Sequence, residues 1–191
     1  MHQFLALIVL FCGIHATARE RALSPKAREL TQALAALRTS PDNVVAQERY
    51  LKTFPHDYTE FLNLFDLYHE RYDGSDFILV LPLAGKEHPN ELGKLLVGLA
   101  KDAHYESDAP SYLQHITTAY AGQHPKTIAE LVEQLPPQKQ TQLITFLADV
   151  ENHYSYPEYQ AIIDGLKRIG EDKLATRFEE ARTKRQRQSH H

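Results

Sequence analysis

The residue types best able to bind a metal or move a proton are plentiful, with 11 histidines and 25 carboxylates in the chain. Two histidines stand at helical spacing from an acid: Asp66 and His69 are three apart, and Asp149 and His153 four apart. Such spacing puts both side chains on one face of a helix, and imidazole and carboxylate oxygen both ligate transition metals. A carboxylate-bridged two-metal centre needs more, namely Glu-x-x-His on two helices and a further Glu from each of two others. Only fragments of that set are present. The pairs therefore read as polar neighbours on helix surfaces, and no metal or other cofactor is expected.

Glu106-Ser107 resembles, as a dipeptide, the Glu-Ser pair of lytic transglycosylases. Nothing after it reads as the Gly-Leu-Met-Gln stretch of that family, and Asp108 and Pro110 follow instead. A general acid also needs a supporting pocket. The chain has no Gly-x-Ser-x-Gly elbow, no His-Glu-x-x-His and no Gly-rich phosphate loop. Its formal net charge of −4 argues against broad nucleic-acid binding, which needs a basic face.

Contact chemistry is better represented. The stretch from Asp149 through Glu151, His153, Tyr154 and Tyr156 to Tyr159 gathers tyrosines, a histidine and acids at a junction between two helices. Tyr68, His69 and Tyr72 form a second cluster of the same kind. Tyrosine presents a flat apolar body with a polar tip and suits recognition surfaces. These nine residues are the candidate partner-binding positions. The competing role for the tyrosines is to close the ends of the core while bonding to nearby backbone.

The elements that would position them are helices. Leu30, Leu34 and Leu37, with Ala27 and Ala33 beside them, make one stripe. Tyr58, Phe61, Leu62, Phe65, Tyr68 and Tyr72 make a longer one. The sets Leu92–Leu95–Leu96–Leu99, Ile128–Leu131–Val132–Leu135, Leu143–Phe146–Leu147–Val150 and Tyr159–Ile162–Ile163–Leu166 follow the same helical spacing. Pro25, Pro41, Pro89, Pro110, Pro125 and Pro157 stand where proline suits a helix start. His88 and His124 each precede one of these prolines and read as cap residues. Asp57 with Glu60, and Ser155 with Glu158, have capping-box spacing. The apolar run 76–82 fits a buried helix kinked or ended near Pro82, because a lone strand would leave its backbone unpaired.

Pro55, Pro89, Pro125 and Pro157 recur about every 34 residues, a period typical of stacked helix pairs. The segments HPNELGKLLVGL and HPKTIAELVEQL carry the likeness, without a tetratricopeptide consensus. The expectation is an all-α fold of nine or ten helices in antiparallel pairs, as a short curved α-solenoid-like array or an irregular bundle.

Phe4 to Ile14 is a short apolar run followed by Ala16-Thr17-Ala18, the layout of a cleavable secretory signal over residues 1–18. The n-region Met1-His2-Gln3 lacks the usual basic residue. Cys12, the single cysteine, would leave with the signal, so the mature chain would hold no disulfide. Residues 19–182 then form one helical domain. Residues 183–191 form a basic, polar and flexible tail ending in His190 and His191. No later segment is long and apolar enough to anchor the chain in a membrane. Together these features point to a periplasmic or secreted helical protein that binds another protein of the cell envelope, as an immunity protein or inhibitor does. The alternatives are a cell-wall-active or other envelope enzyme, or a helical carrier of a small ligand or haem.

Overall fold

The computed structural model describes residues 24–69, 74–104, 108–149 and 156–188, all helix or connecting turn, with no strand among them. The signal-like segment, Glu106-Ser107 and Ser155 lie outside the described residues. The first three helices begin where a side chain satisfies the first turn. Helix α1 (Pro25–Thr39) has proline in its first turn, and the Ser24 hydroxyl accepts from the Ala27 N–H at 3.1 Å. Ahead of α2 (Val44–Thr53), the Asn43 side chain accepts from Val45 N and Ala46 N at 3.0 and 3.2 Å. Pro41 thus stands in the turn before that cap, not in the helix. At α3 (Tyr58–His69) the Asp57 carboxylate accepts from Glu60 N at 2.8 Å, one half of the expected capping box.

The run 76–82 is helical but broken. Helix α4 (Ser75–Leu79) stops and α5 (Leu81–Ala84) starts around Val80, two residues before Pro82. Proline has no N–H to offer the carbonyl one turn back, yet it fits the first turn of the next helix. Phe77, Ile78 and Leu81 are buried on either side of the break.

Helices α6 (Pro89–Ala100) and α8 (Pro125–Glu133) start alike. Their N-cap residues His88 and His124 have φ/ψ of −129°/52° and −126°/57°, each followed by proline. The recurring His-Pro segments are therefore one local structure used twice. The remaining helices are α7 (Asp108–Gln123), α9 (Pro137–Ala148), α10 (Tyr156–Arg168) and α11 (Asp172–Gln188).

The described members of the expected stripes face one continuous core. Leu30, Leu37, Phe61, Leu96, Leu99, Ile128, Leu143, Leu147, Ile162 and Leu166 are all at most 2% exposed. At its centre runs α7, packed against α4, α5, α6, α8, α9 and α10. In a linear array the α8–α9 pair would hold α7 and α10 apart, since each unit touches only its neighbours. The described helices therefore form an irregular bundle. They are also not uniformly antiparallel. Arg177 reaches Gln140 and Arg185 reaches Asp149, so α11 runs in the same direction as α9. Gly170, at φ 84°, turns the chain between α10 and α11, with Glu171 N–H donating to Leu166 O at 2.9 Å.

Tyrosine hydroxyls tie the bundle together by donating to backbone carbonyls of other elements. Tyr50 reaches Phe77 O at 2.6 Å, Tyr58 reaches His104 O at 2.8 Å, Tyr120 reaches Pro89 O at 2.7 Å and Tyr159 reaches Phe178 O at 2.7 Å. Gly93 makes the third of these possible. A Cβ at that position would lie 2.4 Å from the Tyr120 hydroxyl oxygen.

Residues 183–188 do not leave the domain as a loose tail. They continue α11, held by Arg182 Nη1 donating to Gln160 Oε1 at 2.8 Å and by the Arg185–Asp149 ion pair. Among the described residues, no helix is long and apolar enough to cross a membrane.

Candidate recognition surface

Asp149 is the one proposed contact residue whose side chain is both described and on the surface, and it is held from three helices. It lies just past α9, with φ/ψ of −78°/57° and its N–H on Thr145 O at 3.1 Å. Its carboxylate takes the Arg185 Nε–H from α11. Its carbonyl accepts from Gln114 Nε2 of α7 at 2.9 Å, and the same amide donates to Phe146 O at 2.5 Å. Gln114 is buried, so the α9 terminus is fixed to the centre of the bundle.

Beside Asp149 opens a cleft of about 590 Å³. One wall is the outward face of α9, where Gln138, Thr141, Gln142 and Thr145 follow helical spacing and are exposed. The other is Ala103 and His104, just after α6. His104 is set by Tyr58, whose ring centroid is 5.3 Å away and whose hydroxyl donates to the His104 carbonyl. The lining offers amides, hydroxyls, an imidazole and the apolar edge of Phe146. These groups can donate and accept hydrogen bonds.

An ion cluster links residues next in sequence to both walls. Asp102 pairs with Lys101 and, at 2.7 Å, with Lys139 at the start of α9. Partial burial works to raise the Asp102 pKa, but the two ammonium groups outweigh it and hold the carboxyl below its ordinary value. A depressed carboxyl stabilises the fold above its unfolded pKa, about 3.9, and that gain fades as pH falls through the lower folded value. Asp102→Asn should therefore lower the melting temperature at pH 7 and leave it nearly unchanged near pH 2. An equal loss at both pH values would refute the pairing as the cause.

The other sequence candidates fall as follows. Tyr159 is fully buried, with its hydroxyl on the Phe178 carbonyl and its phenol pKa pushed up by burial. It serves the core and offers a partner no surface. Tyr68 and His69 end α3 and Tyr156 opens α10, with side chains outside the described part. Glu151, His153, Tyr154 and Tyr72 lie outside the described residues. Asp149 lies just past the end of α9, and His153, its expected helix-face neighbour, lies outside the described residues. Among the described residues no group of three or more His, Cys, Asp or Glu side chains is placed to hold a metal ion. Sequence reasoning missed Gln114, His104 and Arg185. Only the α9 face, with Gln138, Thr141, Gln142 and Thr145 free of charge, had a readable signal.

No family model, curated protein or solved structure matches the chain.

Proposed function

We propose that this chain is an exported helical binding protein that recognises another protein of the cell envelope, in the manner of an immunity protein or enzyme inhibitor. The observation that carries this reading is the clamped end of α9. Gln114 and Arg185 fix Asp149, and with it one end of a cleft lined mainly by uncharged groups, before any partner arrives. Pre-set surfaces lose less freedom on binding. The stretch that follows Asp149 in sequence brings Glu151, His153, Tyr154 and Tyr156, residue types favoured at contact surfaces. The signal-like N-terminus supports action outside the cytosol.

The test is affinity capture from an envelope extract with the chain from residue 19 onward, identified by mass spectrometry. A second capture uses the double variant Thr141→Arg, Thr145→Arg. Both positions are exposed, so folding should survive the change, while two charges in the cleft should weaken a specific partner at least about tenfold. Equal recovery of the same partner by both forms, or no partner above a blank matrix, would sink the proposal.

A further inference from the structure

A second cleft, of about 420 Å³, lies on a different part of the molecule, between α8, the start of α9 and α11. Its apolar lining is Ala129 and Val132 from α8, Leu174 from α11, and Ile169 from the turn before α11. Ile169 is 42% exposed, one of few large apolar side chains left open to water. The Gly170 turn fixes Ile169 and Glu171 at the mouth, since Glu171 N–H is tied back to Leu166 O.

The walls carry charges of both signs. Lys126, Lys173 and Arg177 supply three cations, and Glu130, Glu133 and Glu171 three carboxylates. None of the six takes part in an ion pair among the described residues, whereas Lys26, Arg38, Lys52, Lys86, Lys139 and Lys167 each do elsewhere. Arg177 is partly buried and held by a neutral group, its Nη1 donating to Gln140 Oε1 at 2.7 Å. That bond aims the guanidinium and leaves its charge uncompensated.

We propose that this cleft binds a short zwitterionic peptide with aliphatic side chains. Its carboxylate would meet Arg177 and the lysines, its ammonium the glutamates, and an aliphatic side chain would cover Ile169 and Leu174. A singly charged ligand would face as many like charges as opposite ones, while a zwitterion satisfies both sets. The volume falls within the ~300–1,000 Å³ common for small-ligand sites and suits a ligand of a few residues.

The dipeptide Leu-Leu, titrated into the isotope-labelled chain and followed by NMR, tests this. Saturable shifts are expected at the amides of Ile169, Glu171 and Leu174. N-acetyl-Leu-Leu, Leu-Leu-amide and the Arg177→Gln variant should each weaken binding at least tenfold. Arg177→Gln removes the charge and the Arg177 guanidinium bond to Gln140 at a partly buried position, and an unchanged spectrum elsewhere would show that the fold is kept. No saturable shift up to about 10 mM, where even a weak site of Kd ~1 mM would be filled, overturns the proposal. Equal binding of the capped peptides, or shifts confined to the α9 cleft, also overturns it.

Discussion

Phe178→Ala should lower the unfolding free energy by about 3–5 kcal/mol, the range for removing a fully buried aromatic side chain. Phe178 is 0% exposed, and its ring lies 5.8 Å from that of Tyr159. It is the last large apolar residue of α11, whose composition is otherwise strongly polar. The docking of α11 onto α9 and α10 therefore depends on this side chain and Ala175, with partly buried Leu174 and Ala181 beside them. Domains of this size are usually stable by only ~5–15 kcal/mol, so a large part of the margin would go. Tyr159→Phe keeps the ring and loses one hydrogen bond, for about 1 kcal/mol. Urea unfolding followed by circular dichroism measures both. A loss below 1 kcal/mol for Phe178→Ala would mean that α11 is not docked as described.

The second large effect joins stability to the candidate surface. Gln114→Met keeps a flexible side chain of similar length but removes the amide that serves Phe146 O and Asp149 O. A buried acceptor stripped of its donor costs about 1–3 kcal/mol. Phe146 O retains a contact from Asp149 N at 3.3 Å, so a total near 2–3 kcal/mol is expected. Hydrogen exchange at Ala148 and Asp149 should speed up more than at Leu143, and partner capture should fall with it. Arg185→Gln, at a half-exposed position, should cost much less stability. If Gln114→Met left exchange near Asp149 unchanged, the clamp would not be what fixes the cleft.

Helix content was legible because apolar spacing agrees with a cap or a first-turn proline at several starts, as at Ser24, Asp57, Pro89 and Pro125. The central helix was the hardest to read. On α7, Leu113, Ile116 and Tyr120 share burial with Gln114, Thr117 and Thr118, because the helix is covered on many sides. A helix enclosed in this way shows no simple two-faced pattern. Residues 183–188, expected within a loose tail, continue α11 instead, for a different reason. Arg182 and Arg185 find partners on α10 and after α9, and such long-range pairing leaves no trace in local composition. The candidate surface was read from clustering alone, which put Tyr159 among contact residues. The structure uses that tyrosine as a tie to α11, a role its sequence neighbours could not distinguish.

The position of α7 also limits how this fold can change over time. Stacked repeats gain or lose a unit at little cost, because each unit touches only the next. Here the early helices α4 to α6 and the late helices α8 to α10 meet on one shared strut. Duplicating or deleting a His-Pro unit would shift one group against the other and uncover α7. The likeness of the two His-Pro segments is thus confined to their helix starts and does not extend to how the helices stack.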